Sequence, residues 1–201
     1  MKTAGVEWST AAATMPGESE SGDRCWAGAV ANGMMFAVID GLGHGRAAAA
    51  ASDIAIATLE QHAGKPLTQL LRRCHESLLG TRGVAMSLAA FNTEDAMLTW
   101  IGVGNVEGTL LRRDAGLPCG KLLLRSGVVG IHLPVLREGE LAVKPGDILT
   151  MATDGVTADE SPLRVSMDSR TESMAHGILA RGCKGTDDAL VLVARYRSAR
   201  P

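Results

Sequence analysis

Five aspartates stand at the boundaries of apolar runs, where a strand would deliver a carboxylate to an exposed end. They are Asp23, Asp40, Asp154, Asp187 and Asp188. Carboxylates about 4 Å apart repel by about 4 kcal/mol per pair at an effective dielectric of about 20, unless protons or cations neutralise them. Because oxygen-only ligand sets favour magnesium, calcium or manganese over zinc, the pattern predicts a divalent-ion site.

A glycine-rich turn follows Asp40, in the sequence Asp40-Gly-Leu-Gly-His-Gly45. Gly41 removes a side chain where the backbone must approach another part of the chain. Residues 43–48 also fit the G-x-G-x-x-A dinucleotide fingerprint, but that fingerprint needs a second parallel strand ending in an acid about 20 residues later. A helix end and Gly64-Lys65-Pro66 occupy that region instead, so we predict no nucleotide cofactor here.

The elements that position these acids are predicted from apolar periodicity and turn residues. Asn32-Gly33 predicts a tight hairpin between strands at 25–31 and 34–39. Helices are predicted at 44–63, at 67–79 with Leu79 facing the core, and at 171–180. Further strands are predicted at 3–14, 84–91, 97–103, 107–113, 121–125, 141–143, 148–153 and 188–196. Several successive strands without helices favour antiparallel sheets.

Length and composition predict one soluble domain over residues 1–201. The chain has 46% hydrophobic and 21% charged residues, enough to bury a full core. A formal net charge of -2 and 3% aromatic residues give no basis for nucleic-acid binding. No run reaches the roughly 20 apolar residues of a membrane helix, so we predict no membrane partner. Scattered cysteines indicate reduced thiols and a cytoplasmic location, and the arginines at 195, 197 and 200 are expected to form a solvated tail.

Six segments across residues 15–195 follow one another in a recognisable order. They are Gly17–Asp23, Asp40–Gly45, Gly83–Leu88, Gly102–Asn105, Ala152–Gly155 and Gly185–Val193. In this order and spacing the chain resembles the metal-dependent serine/threonine protein phosphatases of type 2C, in the bacterial SpoIIE-like branch that includes stand-alone stressosome phosphatases. The resemblance implies an α+β fold, a four-layer αββα sandwich of two antiparallel sheets flanked by helices.

The resemblance also implies an activity, its ions and its partners. A family member would hydrolyse phosphoserine or phosphothreonine on bacterial stress-response regulators, the phosphorylated STAS-domain proteins of a stressosome. Two ions, Mn2+ or Mg2+, would lie at one end of the sandwich, and a hydroxide bridging them would attack phosphorus without a phosphoenzyme. The alternative is a non-catalytic phosphoprotein-binding module of the same fold, which should bind manganese poorly.

The family's ligand positions, carried over to this chain, give a set of expected site residues. Asp40 would bridge the two ions as the central catalytic ligand, and Gly41 would bind one ion through its carbonyl oxygen. The remaining metal ligands would be Asp23, Asp154 and Asp187, with Asp188 behind them in a supporting position.

The chain departs from the family pattern near the glycine loop. Leu42 stands where many relatives have a histidine that is a candidate general acid, and His44 comes two residues later. His44 is therefore either a catalytic acid or a residue that caps or packs the start of the helix. The phosphate-binding arginine of some relatives has no clear counterpart, and Arg24 and Arg46 are the candidates.

Overall fold

Two β-sheets pack face to face and carry helices on their outer surfaces, in a computed structural model that describes residues 2–3, 5–114, 116–157 and 167–198. This arrangement confirms the predicted α+β fold, the αββα sandwich of two sheets flanked by helices. The sheets are antiparallel throughout except for one short parallel pair.

Twelve strands and three helices are defined within the described residues. The strands are β1 (Lys2–Thr3), β2 (Val6–Ala13), β3 (Asp23–Val30), β4 (Gly33–Gly41), β5 (Val84–Asn92), β6 (Met97–Val103), β7 (Glu107–Leu111), β8 (Gly120–Lys121), β9 (Leu124–Arg125), β10 (Gly139–Ala142), β11 (Ile148–Ala152) and β12 (Ala189–Tyr196). The helices are α1 (Arg46–His62), α2 (Leu67–Ser77) and α3 (Thr171–Gly182). None of these described helices is both long and apolar enough to cross a membrane.

One sheet has the order β1-β2-β12-β11-β7-β8, and the other has the order β10-β6-β5-β4-β3 with β9 beside β6. Side chains alternate across each strand. In β4, Phe36 and Val38 enter the core between the sheets, whereas Ala37 and Ile39 pack against α1 and α2. In β12, alternate residues such as Val191 face α3 in the same way. Both faces of the central strands are therefore covered, which holds their ends in fixed positions.

The β3–β4 hairpin is confirmed, but its turn lies one residue earlier than predicted. Val30 pairs with Gly33, so the two-residue turn is Ala31-Asn32 rather than Asn32-Gly33. A Cβ on Gly33 would lie 2.0 Å from the carbonyl oxygen of Phe91. The glycine is thus needed for the close approach of β5, which the sequence of the hairpin alone does not indicate.

Three other expectations were wrong. The predicted strand at 121–125 is divided, because β8 pairs with β7 in one sheet while β9 joins β6 in the other. Leu79 lies beyond the end of α2 and is 62% exposed. Arg195 is only 3% exposed, and its guanidinium donates to two backbone carbonyl groups just before α3. Arg200 and most of the polar segment at 157–170 lie outside the described residues.

Candidate active site

Strand ends from both sheets place aspartates at one end of the sandwich. Asp23 starts β3 and faces Asp40 near the end of β4 as its direct partner, which sets their Cα atoms about 5 Å apart. In the other sheet Ala152, the last residue of β11, pairs with Val191 near the start of β12. Asp154 therefore follows β11, and Asp187 precedes β12, at the same edge.

A buried threonine joins the two sheets at this edge. The hydroxyl of Thr153 donates to Oδ2 of Asp23 at 2.8 Å and accepts from the backbone N–H of Leu190 at 2.9 Å. One side chain thereby ties the end of β11 to β12 and to the first residue of β3. Because Thr153 directly precedes Asp154, this bond also fixes where the Asp154 turn begins.

Asp188 is buried and anchors the loop that leads into β3. Its Oδ1 accepts from the N–H of Met15 at 2.8 Å, and its Oδ2 accepts from the N–H of Gly22 at 2.7 Å. Both oxygens are thus engaged with the backbone on either side of residues 16–21. Asp188 therefore orients the segment that carries Asp23.

The glycines after the two acids are required by close backbone contacts. A Cβ on Gly41 would lie 2.4 Å from the carbonyl oxygen of Ala48 in α1. A Cβ on Gly155 would lie 1.9 Å from the carbonyl oxygen of Asp188. The Asp-Gly pairs therefore let a helix and a strand approach the acids, as the sequence predicts for Gly41.

Burial and like charge raise the pKa of two carboxyl groups. Desolvation raises the pKa of Asp23 to about 8, the Thr153 hydrogen bond opposes this, and the charge of Asp40 adds to it. Desolvation also raises the pKa of Asp40 to about 7, with further increases from Asp154 and Asp187. The carboxylates are thus close enough to affect one another's ionisation, which is the condition that cations relieve.

The amide of Asn105 contributes to the same cluster. Its Nδ2 donates to Oδ2 of Asp154 at 2.7 Å, and its hydrogen bond lowers the pKa of Asp40. Neither Asn105 nor Thr153 is predicted from its residue type to have a role at the site. Both residues belong to the six segments that carry the family resemblance. Asn105 is the last residue of Gly102–Asn105, and Thr153 immediately precedes Asp154 in Ala152–Gly155. Their positions in these segments were the signal in the sequence that could have identified them.

The chemistry of the donor groups matches the preference of a hard divalent cation for oxygen ligands. The expected ligands at this edge are carboxylate oxygens and one backbone carbonyl oxygen, which suit magnesium or manganese. Among the described residues, no three Asp, Glu, His or Cys side chains are already arranged as a ready set of ion ligands. An ion would therefore have to draw the carboxylates inward as it displaces their protons.

The other candidate residues lie around the cluster with different partners. His44 is 53% exposed, and its Nδ1 lies 2.5 Å from Oε1 of Glu18. No side chain caps α1, so His44 does not cap that helix. The Nε of Arg24 donates to Asp53 at 2.7 Å, and its guanidinium also donates to backbone carbonyls at 21 and 23. Arg46 is exposed at the start of α1.

The fold and the carboxylate cluster define a class: the metal-dependent protein phosphatases of type 2C, built as αββα sandwiches. Within that class, the family described as Stage II sporulation protein E (SpoIIE) matches residues 31–197, and the chain belongs to this family. The family resemblance expected from the six sequence segments is confirmed.

Three relatives illustrate the likeness. Phosphoserine phosphatase RsbX of Bacillus subtilis (strain 168) is 31% identical over 90 residues, so the match spans 45% of this chain and 45% of RsbX. A solved structure described as "The bacterial stressosome: a modular system that has been adapted to control secondary messenger signaling" has a TM-score of 0.88 at 28% identity, covering 94% of this chain and 99% of that one. A structure of RsbX in complex with magnesium has a TM-score of 0.84 at 20% identity, covering 97% of each chain, and this likeness shows the fold alone.

Proposed function

We propose that this chain is a metal-dependent protein serine/threonine phosphatase that uses two Mn2+ or Mg2+ ions. The observation that supports this most strongly is the approach of four acids from separate segments of two sheets. These acids are Asp23, Asp40, Asp154 and Asp187. Two of them have pKa values raised to about 7 and about 8. A protein that never bound cations would gain nothing from this repulsion.

The chain's own residues supply position and charge for the reaction. When bound, divalent ions lower the pKa of a coordinated water and offset charge on the phosphoryl oxygens during in-line attack. We propose that Asp40 would be the ligand shared by the ions, with Asp23 and the Gly41 carbonyl as further ligands. Asp154 and Asp187 would hold the second ion. Thr153 supports this arrangement by fixing the carboxylate of Asp23.

The proposed substrates are phosphoserine and phosphothreonine on bacterial stress-response regulators, specifically phosphorylated STAS-domain proteins of a stressosome. Two likenesses support this choice: the phosphoserine phosphatase RsbX and the structure described from work on the bacterial stressosome.

A phosphatase assay tests this function directly. We expect hydrolysis of p-nitrophenyl phosphate and of a phosphoserine protein with manganese, and loss of both on addition of a chelator. Turnover that persists without metal contradicts the mechanism. Tight binding of the phosphoprotein with no turnover at any metal concentration identifies the non-catalytic module instead.

Conservative substitutions test the proposed ligands. We expect Asp40→Asn and Asp154→Asn each to lower turnover at least about a hundredfold, because each removes a charge that holds an ion. Asp95→Asn is the matched control, since Asp95 lies in the turn after β5, at the opposite end of that strand from the cluster. Circular dichroism checks that the variants fold, and near-wild-type rates in both cluster variants refute the assignment.

A further inference from the structure

A cavity of about 390 Å3 opens beside Asp154. Its walls come from the β6–β7 connection, from β7 and β8, and from the residues around Asp154. The side chains that give it chemical character are Asn105, Glu107, Lys121 and Lys184. Its volume is at the lower end of the roughly 300–1,000 Å3 of ligand pockets, so it can hold one or two side chains of a bound peptide.

The position of Lys184 makes this cavity continuous with the candidate active site. Its Nζ donates to the backbone carbonyl oxygen of Asp154 at 2.5 Å. The ammonium group therefore lies against the main chain of Asp154, while Asn105 holds one oxygen of the carboxylate on the same residue. Lys184 therefore lies next to the acid cluster, within reach of a residue that flanks a phosphate bound there.

The charge of the cavity favours an anionic occupant. Lys121 and Lys184 contribute two positive charges, and Glu107 contributes one negative charge. Asp154 adds a second negative charge only while no cation neutralises it. With ions in the proposed site the cavity is net positive, and field lines within such a concave surface attract anions more strongly than on a flat surface.

We propose that this cavity is a subsite for an acidic side chain, aspartate or glutamate, that flanks the phosphorylated residue of the substrate protein. The proposal rests on the proposed phosphatase function and adds a sequence preference to it. Lys184 and Lys121 are then specificity-determining residues, because they contact the flank of the substrate and not the reacting phosphorus.

Two phosphoserine peptides test the subsite, one with acidic residues on both sides of the phosphoserine and one with alanines. For the wild-type protein with manganese we expect roughly tenfold higher kcat/KM on the acidic peptide, mainly through KM, and a preference that shrinks as salt is raised. The Lys121→Met/Lys184→Met double variant should bring the ratio between the peptides close to one. Lys184→Arg, which keeps the charge, should retain most of the preference.

For each protein, the ratio of kcat/KM between the two peptides is compared, and this ratio cancels any general loss of activity in a variant. Lys65→Met is the matched control, since Lys65 lies between α1 and α2 and does not line this cavity; its ratio should equal that of the wild type. Equal kcat/KM on both peptides in the wild type, or an unchanged ratio in the double variant, overturns the subsite. If the wild type hydrolyses neither peptide nor p-nitrophenyl phosphate, the proposed function falls and the subsite with it.

Discussion

Divalent-ion affinity should depend steeply on pH, because protons and cations compete for Asp23 and Asp40. These carboxyl groups have pKa values of about 8 and about 7, and an ion held by both must displace both protons. The apparent affinity should therefore rise about five-hundredfold between pH 6 and pH 8, a change of about 4 kcal/mol, and only about twofold from pH 8 to pH 9. Ordinary aspartates, titrating near 4, would give almost no change over this range.

Calorimetric titration with magnesium at a series of pH values measures this dependence. Repeating each titration in buffers with different ionisation enthalpies counts the released protons, which should be about two per binding event at pH 6 and about 0.6 at pH 8. An affinity that changes less than about fivefold between pH 6 and pH 8 refutes the reasoning.

The same pKa shifts determine whether the stability of the metal-free protein rises or falls with pH. The folded state holds protons on Asp23 and Asp40 that the unfolded state releases near pH 4, so these groups favour folding at low pH. Their contribution is lost as the pH rises through about 7 and about 8. Chelator-treated protein should consequently lose stability toward alkaline pH, and added magnesium should restore more of it at pH 8 than at pH 6.

Two further variants test the contacts around the cluster. In the presence of chelator, Thr153→Val should lower the free energy of unfolding by about 2–4 kcal/mol, because it removes the bond to Asp23 and leaves the buried N–H of Leu190 unpaired. Thr153→Ser keeps the hydroxyl group and should lower the free energy of unfolding by only about 1 kcal/mol. Equal losses for the two variants in urea denaturation would argue against the hydroxyl bridge. His44→Ala should slow a phosphoserine peptide at least about tenfold more than p-nitrophenyl phosphate, whose good leaving group needs little protonation. Equal slowing of both substrates would leave His44, which pairs with Glu18, without a role as general acid.

Local pattern was sufficient to predict the strands that carry the acids. The strand before Asp40 has apolar residues on both faces because the second sheet covers one face and helices cover the other, and such a run is visible in the sequence. The need for glycine at position 41 was likewise visible. The family resemblance supplied the full set of expected site residues, which the spacing of the acids alone leaves open.

Long-range contacts explain what the sequence did not indicate. The division of residues 121–125 between two sheets depends on which strands lie nearby, and a five-residue run carries no such information. Arg195 was expected in solvent because arginine is usually exposed, yet it sits in a central strand against carbonyl groups near α3. Asn105 and Thr153 act across the gap between sheets, so their roles emerge only once the sheets are packed.

Diffraction from manganese-soaked crystals, measured at the manganese absorption edge, tests the central claim most directly. We expect anomalous peaks at the end of the sandwich, bounded by Asp40, Asp154 and Asp187, with the carboxylates drawn toward them. Manganese absent from this edge, or bound only elsewhere on a protein that still hydrolyses phosphoserine, would contradict it.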